Sequence, residues 1–417
     1  MMKNKYLVTL KPMGSFFFGS ERTFGLGEDN EHYIIQSECF PQQTSILGML
    51  RKEMLIIKNL IRYDWNYNGI YDKVNTLIGS KSFNINDIEK QQFGVIEKIY
   101  PVFIKKENKY LISVPKDHKV KKVIRINKNK INEIKKINIY NKKYRILNFN
   151  KRYVSFNKRY VPFNFNKNKK CEVNFGNNKE ENKTIYIPCD YIAKDGLATG
   201  FMDKGKNIIN FNDVFKEDKQ IGINVDKNKQ TRIDLQKNKQ TSEDGLYKII
   251  RYRLENDYEF AFNIDVNFNT DFKESDLDGY SNVVNLGGEG SYFKISFKKV
   301  DKYITDDFEN TNEVNDKEDK IIYKKMILLS DTYISKEKYD KYCDYGIVNG
   351  ITFRNLKTDY SKFKEEGEYY KKFEKTNKFI FLERGSVLFS LASNYEKLKM
   401  QIETNQNVRN IGYNEYV

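Results

Sequence analysis

Residues 41–56 read PQQTSILGMLRKEMLI. This stretch decides the fold class, because it is the clearest helix in the chain and it follows a strand. Ile46, Leu50, Met54, Ile57 and Ile61 fall at i, i+4, i+8, i+11 and i+15, one apolar stripe at helical period. Pro41 suits a helix entrance, and Thr44 and Ser45 suit cap or first-turn positions. Gly48 costs about 1 kcal/mol relative to alanine inside a helix. Something is therefore expected to approach the backbone closely there, either another helix or strand or a ligand.

Outward from the helix the pattern is β. KYLVTL (residues 5–10) reads as a first strand ended by Pro12 and Gly14, and a short strand is expected over residues 32–35. Beyond residue 75 the chain is mostly short strand-like runs separated by turns: VFIKKENKYLISVP, KTIYIPCDYI, EFAFNIDV, YFKISFKKV, KKMILL and FIFLERGSVLFSL. Without an alternating βαβα rhythm, this predicts an α+β fold with antiparallel sheets. A strand-helix-strand opening followed by hairpins fits a ferredoxin-like or RNA-recognition topology.

The chain has 417 residues and 49.6 kDa, with 73 Lys+Arg against 57 Asp+Glu and a net charge of +16. At roughly 150 residues per domain, two or three domains are expected. At 39% hydrophobic residues it can bury real cores. No apolar stretch is long enough to span a bilayer, and MMKNKYLVTLKPMG has no apolar core of a signal peptide. Cys39, Cys171, Cys189 and Cys343 have no paired spacing, which argues against a zinc ribbon or a disulfide framework. A cytoplasmic protein with free thiols is expected. Only two histidines occur, His32 and His118, which leaves little room for a histidine-built site. The 30 tyrosines and 29 phenylalanines, with the basic surplus, suit a single-stranded nucleic-acid binder, which stacks bases on rings and pairs phosphates with cations. An A/T-rich genome would dictate much the same composition.

The basic excess is local. Residues 119–170 hold 18 Lys/Arg and a single acid, Glu133, so this stretch alone exceeds the net +16 of the whole chain. FNKRYV occurs at 149–154 and again at 156–161. Cations interleaved with Tyr140, Tyr144, Phe149, Tyr153, Phe156 and Tyr160 resemble an RNA-contacting arm. A solvated low-complexity insertion would look the same. A second repeat, KNKQT at 227–231 and 237–241, lies between GINVD (222–226) and GLYKIIRYRL (245–254). The two β-rich runs read as a long hairpin projecting from a sheet, with Lys229 and Arg232 as candidate RNA contacts. Residues 301–320 carry eight acids against three bases and read as an exposed loop.

Several chemistries have no motif here: no GxxxxGK[ST] phosphate loop, HExxH, paired CxxC or GxSxG occurs. The run Leu286-Gly-Gly-Glu-Gly290 lacks dinucleotide-binding spacing, and a strand follows it rather than a helix. It offers either bare backbone N–H groups for phosphates or a tight turn between strands.

Several patches match one family in order along the chain: KPMGSFFFGSERTFGLGED (11–29), SECFPQQTSILGMLRKEML (37–55), IGSKSF…FGVIEKIYPVFI…YLISVPKD (78–117), IGINVD…GLYKIIRYRL (221–254), VNLGGEGSYFKI (284–295) and ERGSVLFSL…NIGYN (383–414). Together they resemble the CRISPR RAMP proteins. More narrowly, they are similar to the subunit that caps the crRNA 5′-tag end of type III-B (Cmr) effector complexes. That resemblance implies two ferredoxin-like domains with long hairpin and loop insertions. It suggests residues 1–118 for the first domain, with later strands returning to it. A basic insertion would occupy 119–180, and a second domain 181–417. It implies that this subunit is not the nuclease; no cofactor is expected, and neither a metal centre nor a nucleophile triad can be built from the residues. The implied partners are crRNA, the large polymerase-like subunit and the first backbone RAMP subunit, with target RNA met indirectly and no membrane.

Carried over residue by residue, the tag-gripping positions would be Arg22, Phe24 and Gly25 in the first loop. Thr44, Ser45, Gly48, Arg51 and Lys52 would follow on the helix, and Gly287, Gly288 and Gly290 in the glycine-rich loop. Helix N-terminal N–H groups and hydroxyls would hold phosphates, Arg and Lys would add charge, and Phe24 would stack a base. Many members carry RDGRPF where this chain has GSERTF, so only Arg22 and Phe24 carry over there. The basic insertion is not a family hallmark. The alternatives are a RAMP endoribonuclease of CRISPR repeats with His32 as base, the equivalent type III-A subunit, and a general single-strand RNA binder.

Overall fold

The computed structural model describes residues 4–19, 34–61, 70–87, 89–116, 143–148, 152–157, 200–223, 246–308, 313–315, 322–358 and 373–417. In chain order these form β1 (Asn4–Pro12), β2 (Ile34–Gln36), α1 (Gln43–Ile57), α2 (Tyr71–Ile78), β3 (Ile96–Ile99), β4 (Phe103–Lys106) and β5 (Lys109–Ser113). Then come β6 (Lys143–Asn148), β7 (Arg152–Asn157), β8 (Phe201–Asp203), β9 (Ile208–Ile209), β10 (Phe215–Ile223), β11 (Leu246–Leu254), β12 (Tyr258–Val266), β13 (Ser281–Asn285) and β14 (Tyr292–Lys299). The last strands are β15 (Glu313–Asn315), β16 (Ile322–Ile327), β17 (Tyr345–Ile347), β18 (Gly350–Phe353), β19 (Leu356–Thr358), β20 (Phe373–Lys375), β21 (Phe379–Leu382) and β22 (Val387–Leu391), followed by the helix Ala392–Glu403.

The expected α+β architecture with antiparallel sheets is what forms. The largest sheet runs β13-β14-β1-β12-β4-β5-β8-β9, with β3 also on β12, and every pairing in it is antiparallel. It draws on residues 4–12, 96–113 and 201–299, so later strands return to the N-terminal ones. A second sheet runs β15-β16-β22-β17-β6-β7; residues 152–154 and 156–157 of the FNKRYV repeat lie in β7, and the rest of the repeat lies outside the described residues. The KNKQT-flanked runs form the expected hairpin: β10 and β11 pair from Phe215↔Leu254 to Ile223↔Leu246, while the connection at 224–245, with Lys229 and Arg232, lies outside the described residues.

Strand alternation explains the core. Tyr6, Val8 and Leu10 of β1, Phe260, Phe262 and Ile264 of β12, and Phe293, Ile295 and Phe297 of β14 all point to one face. There they meet Ile46, Leu50 and Met54 of α1, each with no exposed surface. Leu7, Phe103, Ile112 and Ala261 bury the other face against Ile304, Phe308 and Leu329. β12 is therefore covered on both sides, which is why EFAFNIDV lacks a clean polar alternation. Its polar members are satisfied: Asn263 donates to the Tyr6 carbonyl, and Asp265 accepts from the Tyr303 hydroxyl (2.8 Å).

Two expectations need correction. Residues 301–320 are not simply an exposed loop, because Ile304 and Phe308 are buried on Phe103. Of the positions expected for Thr44 and Ser45, the first turn is the one they take, because the N-cap of α1 is Gln42, with no side-chain cap bond. Lastly, the stripe outruns the helix. Asn59 at φ +53 stops it, with Leu60 N–H donating to the Leu55 carbonyl and Asn59 N–H to Ile56, a Schellman ending, so Ile61 lies beyond the helix.

Candidate nucleic-acid interface

α1 presents its nominated residues along one line. Ser45, Gly48 and Lys52 are exposed at i, i+3 and i+7, with Thr44 and Arg51 half-buried beside them. The reverse side carries the core residues, so the burial that holds the helix on the sheet also turns this line outward. Glu53, buried among the α1 residues, fixes the rotation: its carboxylate accepts from Tyr280 (3.1 Å) and from Asn282 of β13 (2.9 Å). Burial, and then the Glu53 carboxylate, push the Tyr280 hydroxyl up to about 12. A Cβ built on Gly48 meets nothing within 4 Å. Among the described residues no helix or strand packs there, so none of them takes the intramolecular place expected at that glycine.

Two nominated features differ from expectation. The helix does not begin in bare N–H groups: Gln43 N–H donates to the Tyr413 hydroxyl (3.2 Å) and Ser45 N–H to the Gln42 carbonyl. A phosphate here would meet the Thr44 and Ser45 hydroxyls instead. Arg51 is engaged within the chain. Its Nη2 donates to the Lys81 carbonyl (3.0 Å), and its guanidinium lies 5.4 Å from the Phe93 ring centroid. Lys52 is the exposed cation of the pair.

The glycine-rich run is the loop of the β13–β14 hairpin, so the tight-turn alternative is the local structure. It is also the neighbour of the first loop. Gly288 N–H donates to the Phe17 carbonyl (2.9 Å), and Phe17 N–H donates to Ser291 Oγ (2.9 Å). Gly287, at φ +93, would set a Cβ 2.4 Å from the Phe17 carbonyl oxygen, so only glycine admits this approach. At Gly290, φ +69, a Cβ would meet only the Tyr292 ring, at 3.9 Å. The chain enters this contact on Phe16 and Phe18, buried against Phe260 and Phe293, while Phe17 between them stays half-exposed. Burying each such ring contributes about 1.5–3 kcal/mol.

The structure thus joins the start of the first loop to the glycine-rich loop. Arg22, Phe24 and Gly25 lie outside the described residues, as do His32 and His118. Sequence reasoning passed over Phe16, Phe18, Ser291 and Tyr413, which hold the arrangement; the in-out-in order of the three phenylalanines was the available signal. Nearby, burial pushes the Cys39 thiol far up, with Glu38 and Glu383 adding to it, so the thiol stays protonated. Among the described residues no group of three or more His, Cys, Asp or Glu gathers as a metal site, and no helix is long and apolar enough to cross a membrane.

The family model described as CRISPR-associated protein (Cas_Cmr3) matches residues 8–417. No curated protein matches the chain. Among solved structures the chain is similar to one in the type III-B Cmr-beta complex bound to cognate target RNA and AMPPnP, at 15% identity over 99% of this chain and 96% of that one, with a TM-score of 0.41. It is also similar to a chain of the Csm3-Csm4 subcomplex of a type III-A interference complex, at 15% identity over 93% of this chain and 92% of that one, with a TM-score of 0.31. Because the family match spans nearly the whole sequence, the chain belongs to the Cas_Cmr3 family of CRISPR-associated proteins and is a RAMP-like subunit of a type III-B effector complex.

Proposed function

We propose that this subunit grips the repeat-derived 5′ tag of the crRNA without catalysing a reaction, and bridges the large polymerase-like subunit to the first backbone RAMP subunit. The observation that carries the reading is the exposed line Ser45–Gly48–Lys52 on a helix otherwise committed to the core. A helical glycine that no described part of the chain packs against suits a backbone that a ligand approaches closely. Hydroxyls at one end of the line and an ammonium at the other suit phosphates. The protonated Cys39 offers no thiolate nucleophile.

The test is binding of the full chain to a guide RNA bearing the 5′ tag against one with that tag scrambled. Preference for the tag, weakened by Ser45→Ala with Lys52→Ala at unchanged melting temperature, is the expected result. Equal affinity for both RNAs would reduce the protein to a general RNA binder. Repeat cleavage by the parent that His32→Ala abolishes would instead make it an endoribonuclease.

A further inference from the structure

The large sheet has one region that the described parts of the chain leave open. Its outer face is covered over β12, β4 and β5 by Ile304, Phe308 and Leu329. Toward β13 the same face carries exposed side chains in cross-strand rows. The pairings Val283↔Lys294 and Lys294↔Lys11 set these three on one face in one row. Ser281, Ser296 and Thr9 form the next row, and Lys298 lies opposite Leu7. At the other end Asn285 pairs with Tyr292, whose carbonyl accepts from Met13 N–H. Val283, Tyr292 and Met13 are 51%, 54% and 63% exposed.

The charge on this face is one-sided. Lys11 and Lys294 are directly opposite on adjacent strands, where like charges destabilise a sheet. Among the described residues neither they nor Lys298 has an ion-pair partner. The carboxylates around them are taken: Glu259 on β12 pairs with Lys105, Glu289 of the glycine-rich loop with Arg251, and Glu274 with Lys299. Three cations without an ion-pair partner among the described residues, an exposed tyrosine ring and a row of hydroxyls on one sheet face complement a polyanion with stackable faces.

We propose that this face, Lys11, Lys294, Lys298 and Tyr292, is a second RNA-binding surface, which takes single-stranded RNA by phosphate contact and base stacking without reading sequence. It is separate from the α1 line and does not depend on tag recognition. It adjoins the glycine-rich loop through Tyr292, so one strand of RNA can run from that loop across the sheet.

The experiment uses the full chain and a short unstructured RNA without tag sequence. Replacing Lys11, Lys294 and Lys298 by alanine should lower the slope of log affinity against log salt by about 2, from roughly 0.7 per phosphate contact. Tyr292→Ala should weaken binding roughly ten-fold, and Tyr292→Phe should keep it, because stacking needs the ring and not the hydroxyl. All four side chains are exposed and Lys11 opposes Lys294, so the melting temperature should not fall. An unchanged salt slope, or a Tyr292→Phe variant as weak as Tyr292→Ala, overturns the proposal. So does a triple variant that binds RNA normally but loses a co-purifying subunit, which would make the face a protein interface. Ser45→Ala with Lys52→Ala should leave this tagless binding intact, which separates failure here from failure of the tag reading.

Discussion

The hydroxyl of Tyr413, four residues from the C-terminal Val417, accepts a hydrogen bond from the first N–H of α1, that of Gln43, at 3.2 Å. Tyr413 is buried, and its ring packs edge-on against Phe353 and Phe381. Its phenol is pushed well above the usual range by burial, with Asp331 adding to it, so it stays protonated. The helix that carries the candidate tag contacts is thus set at its start by a residue from the opposite end of the chain. Tyr413→Phe keeps the ring and removes the acceptor, leaving Gln43 N–H buried and unpaired. Stability should fall by about 1–3 kcal/mol, read as a lower denaturant midpoint at constant m. A midpoint within error of the parent would show that the hydroxyl does not hold the helix.

Gly48 separates stability from binding. With open space at its Cβ, Gly48→Ala should stabilise the protein by about 1 kcal/mol through helix propensity. If RNA approaches the backbone there, the same methyl should weaken tag binding. A melting curve and a binding titration on one variant give both answers, and a variant more stable with unchanged affinity would remove Gly48 from the site.

Neighbouring cations should behave differently. Arg51→Ala loses the bond to the Lys81 carbonyl and the contact with Phe93, and should cost about 1–2 kcal/mol of stability. Lys52→Ala should stay within about 0.5 kcal/mol of the parent while weakening RNA binding. Thermal unfolding of the two single variants decides it, and equal melting temperatures would contradict the structural role of Arg51.

Acid sensitivity is expected near the junction of the two larger sheets. Burial alone would raise the Glu383 carboxyl, but Lys116 (2.8 Å), with Asn349 and Arg384, outweighs it and holds the group below the usual glutamate range. A carboxyl depressed in the folded state stabilises above its unfolded value, and that stabilisation is lost as pH falls through the folded one. Unfolding free energy should therefore drop as pH falls from about 4.5, and Glu383→Gln should flatten that part of the curve. A variant whose acid limb matches the parent's would assign the loss to other carboxylates.

What could be read before folding was what repeats locally. The helical stripe of Ile46, Leu50 and Met54, the strand alternation of β14 and the β10–β11 hairpin are short-period patterns, each set by neighbours in the chain. The family, too, was legible, because its glycine and aromatic patches recur in order along the sequence. The exposed line on α1 followed from the same period, since the face opposite a core stripe is outward by geometry.

Long-range pairing decided the rest. That Phe17 would meet Gly288, that Tyr413 would cap α1, and that Ile304 and Phe308 would be buried within an acidic stretch depends on contacts between segments tens to hundreds of residues apart, which no local pattern encodes. Lys11 and Lys294 are ordinary strand lysines in the sequence. Only the register of β1 against β14 makes them a pair, because a shift of one residue would set Lys11 against Phe293 or Ile295 and turn Lys294 to the opposite face.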